Sequence, residues 1–205
     1  MGNLNIEVYT AITGAKDPLR EDIKCFTDYS EFKRPVMNAK IYKILAHQFL
    51  KCDVSIWLDG NIFLNVPKEQ LVEEFLGSAD MAVHRHPERD DVYDECDTAM
   101  TIPGDQAPYI FKHKEYLQNI NYPRHDGLYN CNVIIRRHSP LVEAFNNAWW
   151  AEICLHSNRD QISFPLILKK FPNLKLNVID GSPSAHPRRK HHSYYTYVTH
   201  QGRPI

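Results

Sequence analysis

The run VSIWL, Val54 to Leu58, is apolar almost without interruption and stops at Asp59-Gly60-Asn61. A strand of a half-buried hairpin alternates polar and apolar residues, whereas a strand covered on both faces does not. The run therefore reads as a central strand of an α/β sheet. Asp-Gly and Gly-Asn between β-prone runs are also strong hairpin signals, so a plain turn into the apolar continuation Ile62, Phe63, Leu64 is the competing reading. In open α/β sheets ligands collect beyond the carboxyl ends of the strands, which is where Asp59 and Asn61 would lie.

The flanking sequence supports the sheet. Strands are expected at Asn5 to Thr13, Ile23 to Tyr29, Asp80 to His86, Asn132 to Arg137 and Leu174 to Asp180. Between them, Ile41, Ile44, Leu45 and Phe49 recur at helical spacing and predict a helix over Val36 to Leu50, with Lys40, Lys43 and Lys51 off its apolar stripe. Pro67 to Gly77 has a proline start, an acidic first turn and a glycine stop. Further helices are expected at Asp90 to Met100, Ala107 to Asn119, Pro140 to Leu155 and from Arg159 onward. Strands alternating with helices imply a mostly parallel sheet in a three-layer α/β sandwich. With 205 residues, no internal repeat and no low-complexity linker, one domain is expected over 1–205.

Composition narrows the functions. The formal net charge of −1 supplies no global field for nucleic acid, and no apolar run approaches a membrane span. The start MGNLNIEVYT lacks the features of a signal peptide and, with Ile6 in place of Ser or Thr, those of a myristoylation site. Five scattered cysteines without a C-x-x-C pair read as reduced, mostly buried thiols. A soluble, cytoplasmic protein is the expectation.

Four constellations can carry chemistry. Asp59 and Asn61 offer two oxygens across a glycine, which suits a hard divalent ion that leaves coordination positions for a diphosphate. YNCNVIIRR is followed by NRDQISFP, where Asn158 or Asp160 is alternatively a helix N-cap. HRHPERDDVYDEC carries His84 and His86, read as surface or hydrogen-bonded histidines, with Arg85 and Arg89 among Asp90, Asp91, Asp94 and Glu95 as a solvated, ion-paired face. HPRRK, from His186, is a local basic cluster, alternatively a disordered tail.

Taken in order, the polar-ended first strand, CFTD, WLDGN, YNCNVIIRR, RDQISFP and HPRRK resemble a GT-A-fold glycosyltransferase-like family found in plant mucilage-related proteins and in bacterial and viral surface-glycan enzymes. More distantly, the chain is similar to retaining transferases of the glycogenin type. The resemblance covers nearly the whole chain and implies a nucleotide-binding part over about 1–65 and a donor-sugar and acceptor part over about 66–205. It implies a metal-diphosphate turn at Asp59 and Asn61, departing from the usual D-x-D, with His186 completing the metal sphere and Arg188 and Lys190 near the diphosphate. It places Tyr9, Thr10 and Asp28 toward the nucleoside, Arg34 and Lys40 toward phosphates or base, and Asn130, Asp160, Gln161 and Asp126 at the donor sugar.

The implied activity is transfer from a nucleoside-diphosphate sugar, a UDP-hexose or UDP-deoxyhexose, to a glycan or glycoprotein, with Mn²⁺ or Mg²⁺ and retention of configuration. Two other readings stand beside it: a catalytically inactive glycan- or nucleotide-binding module, and a metal-dependent nucleotidyltransferase or hydrolase.

Overall fold

The computed structural model describes residues 4–14, 17–102, 106–183 and 192–200. VSIWL forms β3 (Val54–Leu58), buried at every position, as a strand apolar on both faces must be. It lies inside a six-stranded sheet of order β2-β1-β3-β6-β5-β7. The other members are β1 (Ile6–Ala11), β2 (Lys24–Phe26), β5 (Met81–Arg85), β6 (Tyr129–Arg137) and β7 (Leu176–Ile179). β1 runs parallel to β2 and β3, and β5 to β7; β6 is antiparallel to both its neighbours. Strands from both halves of the chain thus share one sheet.

Helices cover both faces. On one, α1 (Pro35–Ile44), α2 (Ala46–Phe49), α6 (Pro140–Leu155) and α7 (Asp160–Lys170) pack over Tyr9, Trp57, Val83 and Ile134. On the other, α3 (Lys68–Leu71) and the π-helical turn Val72–Leu76 cover Ile6, Ile56, Ala82 and Ile135. α4 (Val92–Met100) and α5 (Ala107–Asn119) build a satellite core with α7 through Val92, Cys96, Ile110, Leu117 and Ile162. The mostly parallel three-layer sandwich is the one expected.

Three local expectations change. The helix predicted over Val36 to Leu50 breaks at Leu45, where the Arg136 guanidinium donates to the carbonyl oxygens of Lys43 (2.5 Å) and Ile44 (3.1 Å) in place of a continued helix. The Asp59-Gly60-Asn61 turn is no hairpin. The segment after it, β4 (Ile62–Leu64), leaves the main sheet and pairs antiparallel with β8 (Tyr195–Tyr197), a pairing with no signal in local sequence. Finally, β6 begins at Tyr129 and bulges: one step along β5, Val83 to His84, is matched by four along β6, Ile134 to Asn130. Bulges re-aim side chains, and this one lies beside the cavity described next.

Candidate active site

A cavity of about 460 Å³ opens at the edge where β1 and β3 end and β6 begins. Its walls are Ala11 after β1, Lys40 and Lys43 from α1, Asp59 to Asn61 after β3, Asn130 to Asn132 from the bulge, and Arg159 to Gln161 at the start of α7. His86 and Pro87 close one side, and Asp17, Tyr197 and His200 another. Strand carboxyl ends and a reversal of strand direction meet here, the usual place for a ligand in an open α/β sheet.

Its centre is an ion cluster. Lys43 Nζ lies 2.7 Å from Asp160 Oδ2 and 3.2 Å from Asp59 Oδ1, and Lys40 Nζ lies 3.1 Å from Asp160 Oδ2. Burial pushes the Asp160 carboxyl up, but Lys40 and Lys43 together outweigh it and hold the group below the usual carboxylate range. Burial likewise opposes the Lys43 charge, and Asp160 with Asp59 outweighs burial, so this ammonium is held above the usual lysine range. For Lys40 burial wins over Asp160, and its pKa falls. One carboxylate cannot compensate two desolvated ammoniums equally.

Asp160 is therefore not an N-cap. It is the first residue of α7, Arg159 occupies the cap position without a side-chain capping bond, and the Asp160 carboxylate is spent on the lysines. Lys40 and Lys43 are likewise not a solvent face. Both are drawn inward by acids that lie far away in sequence.

The Asp59-Gly60-Asn61 turn is held from several directions. The Asp59 amide donates to Asn132 O, and its carboxylate Oδ1 accepts from Trp57 Nε1 at 2.7 Å. Asn61 Nδ2 donates to Val198 O and Val198 N to Asn61 O, each at 3.0 Å. Gly60 has a physical reason to be glycine: a Cβ there would stand 3.1 Å from Asp17 Oδ2 and 3.3 Å from Ile12 Cγ1. Asp17 in turn pairs with His200 Nδ1 at 2.8 Å.

The structure thus brings together Lys40, Asp59, Asn61, Asn130, Asp160 and Gln161. Among the described residues it does not bring Tyr9, Thr10, Asp28, Arg34 or Asp126 into the cavity. Tyr9 is fully buried, its hydroxyl donating toward the carbonyls of Tyr42 and Lys43, and Thr10 is buried beside it, so neither side chain faces the cavity. Asp28 accepts from the Tyr42 hydroxyl, and Arg34 precedes α1; neither lines the cavity. Asp126 is turned to the outside, bound by the Tyr122 hydroxyl at 2.9 Å and Lys169 at 3.0 Å. His186, Arg188 and Lys190 lie outside the described residues.

The acidic HRHPERDDVYDEC face is only partly solvated. Asp91 is buried as the N-cap of α4, accepting from Tyr93 N and Asp94 N. Glu95 is buried against Arg89 at 2.8 Å and Arg159 at 3.5 Å, which ties α4 to the wall of the cavity. His84 is hydrogen-bonded as expected, to Gly181 O at 2.8 Å. Residues missed from sequence are Lys43, Asp17, His200, His86 and Arg159; the last sits next to Asp160 in RDQISFP, the one adjacency that could have flagged it. The thiols are free, with only Cys96 and Cys131 buried, Cys25 and Cys52 intermediate and Cys154 exposed.

Comparison with known proteins bears on this arrangement. A family model described as the TOD1/MUCI70 glycosyltransferase-like domain matches residues 25–182. The probable hexosyltransferase MUCI70 of Arabidopsis thaliana is 29% identical over 160 residues, 69% of this chain and 26% of that protein, so the chain spans about a quarter of the relative's length. Among solved structures, mouse xyloside xylosyltransferase 1 in its apo form is 17% identical, with 77% of this chain and 63% of that one covered and a TM-score of 0.42. A glycosyltransferase involved in the glycosylation of the major capsid of PBCV-1 is 12% identical, covering 86% and 82%, with a TM-score of 0.48. Since the family model takes in most of the sequence, including Lys43, the Asp59 turn, the β6 bulge and Asp160, the chain belongs to the TOD1/MUCI70 glycosyltransferase-like domain family.

Proposed function

We propose that the domain transfers a hexose or deoxyhexose from a nucleoside diphosphate, a UDP-sugar, to a glycan or glycoprotein acceptor, with retention at the anomeric carbon. The observation that carries this reading is Lys43, whose ammonium touches both the acid of the Asp59 turn and Asp160 within one cavity. Glycosyl transfer builds negative charge on the departing diphosphate and positive charge on the sugar, and a site needs both signs at close range. Lys40 and Lys43 supply the first complement. Asp160, kept ionised by them, supplies the second, with Gln161 placed to hydrogen-bond a sugar hydroxyl.

A divalent ion, Mn²⁺ or Mg²⁺, fits the chemistry of the turn. Asp59 Oδ1 is taken by Trp57 and Lys43, which leaves Oδ2; the Asn61 amide nitrogen is taken by Val198, which leaves the amide oxygen. These are hard oxygen donors, and Asp17 is a third close to Gly60. Among the described residues no group of three His, Cys, Asp or Glu side chains is close enough to hold a metal alone. When bound, the ion supplies Lewis-acid stabilisation of the leaving oxygen.

No described helix is long and apolar enough to cross a membrane. The free thiols support a reducing compartment, consistent with a cytoplasmic site of action.

A thermal-shift and calorimetric screen of nucleotide sugars with and without Mn²⁺ tests the reading. A UDP-sugar at 100 times its Kd should stabilise the protein by about 2.7 kcal/mol. Turnover should release nucleoside diphosphate; monophosphate or pyrophosphate would identify phosphoryl chemistry instead. NMR of the first-formed product from an anomerically pure donor decides stereochemistry, and an inverted linkage overturns retention.

A further inference from the structure

Arg136, on β6, is fully buried. Among the described residues it has no carboxylate partner; its N–H groups meet Lys43 O at 2.5 Å, Ile44 O and Asn146 Oδ1 at 3.1 Å each, and the Tyr9 hydroxyl at 3.5 Å. A charged group so placed is costly unless something offsets it. What it meets is the carboxyl end of α1, where the unpaired carbonyls and the helix dipole concentrate negative charge. Burial still pulls the guanidinium pKa down. The position of this cation is the informative part, because the carbonyl it holds most closely belongs to Lys43.

Lys43 must reach two acids on two other elements at once. Its four-carbon side chain has ample rotamer freedom to lose, so meeting both Asp59 and Asp160 depends on where its backbone stands. α1 ends one residue later, at Ile44, and a helix end frays unless its last carbonyls are satisfied. Arg136 satisfies them from the most central layer of the fold, and Asn146 of α6 orients its guanidinium.

We propose that Arg136 is a positioning residue for the candidate site: anchored in β6, it fixes the end of α1, sets the reach of Lys43, and through Lys43 controls the charge on Asp160. Its bearing on sugar transfer rests on the function proposed above; the link from Arg136 to Asp160 does not.

The test is a ¹³C NMR titration of the Asp160 carboxyl carbon in the whole chain. In the wild type Asp160 should remain ionised throughout the ordinary carboxylate range. Lys43→Met should bring its titration up into that range, since burial then opposes only Lys40. Arg136→Lys keeps a positive charge but loses the planar fork that reaches two carbonyls, and should bring the onset of Asp160 protonation up into that range, where the wild type shows none. Ile135→Val, an equally buried change on the same strand, should leave it in place. A folded Arg136→Lys protein with an unmoved Asp160 titration overturns the proposal. If Arg136→Lys does not fold, Asn146→Ala decides by the same readout, a rise supporting and no change refuting.

UDP-sugar affinity, measured on the same proteins, should fall about tenfold in Arg136→Lys. A wild type that binds no nucleoside-diphosphate sugar would refute the functional reading, and the titration would still decide the role of Arg136.

Discussion

At the scale of single residues, Asp160 is the side chain on which most depends. Asn caps helices about as well as Asp, so a capping role would make Asp160→Asn nearly silent. The observed partners give a different expectation, because the substitution leaves two desolvated ammoniums, Lys40 and Lys43, with Asp59 alone. Breaking a buried ion cluster by removing one partner costs about 3 to 5 kcal/mol. Asp160→Asn should therefore lower stability in urea by roughly that amount and turnover by about a hundredfold. Adding Lys40→Met should restore much of the stability and none of the turnover; joint recovery of both would show that Asp160 acts only through the fold. Asp59 is more exposed, and Asp59→Asn should leave unfolding nearly unchanged while abolishing the Mn²⁺-dependent part of UDP-sugar affinity. Calorimetry with and without Mn²⁺ measures that difference, and equal affinities in the two proteins would reduce Asp59 to a partner of Lys43.

At the scale of elements, the two-stranded β4–β8 sheet is the piece that local sequence concealed. β8 places Tyr195, fully buried, opposite Leu64 and in one cluster with Ile62 and Phe75, and leads to Val198 beside Asn61. Ending the chain before His192 should lower the melting temperature and abolish cation-dependent donor binding together; a truncated protein with normal donor affinity would show that Asn61 holds its place without Val198. VSIWL, the proline-started helix at Pro140 and the overall alternation were legible, because burial on both faces and helix-start chemistry leave marks within a few residues. The direction of β6 and the β4–β8 pairing left none, being fixed by distant partners. Lys43 was missed for a related reason. Periodicity places a lysine off the apolar stripe of a helix at its surface, and nothing near it announces Asp160. Asn130 and Gln161 were found through the resemblance of YNCN and DQ to a known arrangement, while Asp17 and His200 lie outside any such pattern.

At the scale of the whole molecule, stability should fall on the acid side of neutrality. His84 is fully buried; Nδ1 donates to Gly181 O, Nε2 meets the Tyr195 hydroxyl at 3.3 Å, and burial favours the neutral ring. Burial lowers its pKa to about 4. Because the folded value lies below the ordinary value for histidine, its contribution is intact above about pH 6.5 and is lost as pH falls toward 4. The loss should reach about 3 kcal/mol over that window. Urea unfolding at pH 7.5 and pH 4 measures it, and His84→Gln should flatten the difference by a similar amount; an unchanged slope would assign the acid lability elsewhere, for example to His138, which burial also lowers to about 4. The bond between Asn61 and Val198 spans 137 positions of sequence, which has a bearing on biosynthesis. The six strands of the main sheet are complete once Ile179 has been made, yet the turn carrying Asp59 and Asn61 gains its bonds to Val198 only later. Long-range closures of this kind form late in folding. During translation a largely assembled main sheet would precede a finished site, so ligand capture would follow assembly of the sandwich and wait on the arrival of Val198.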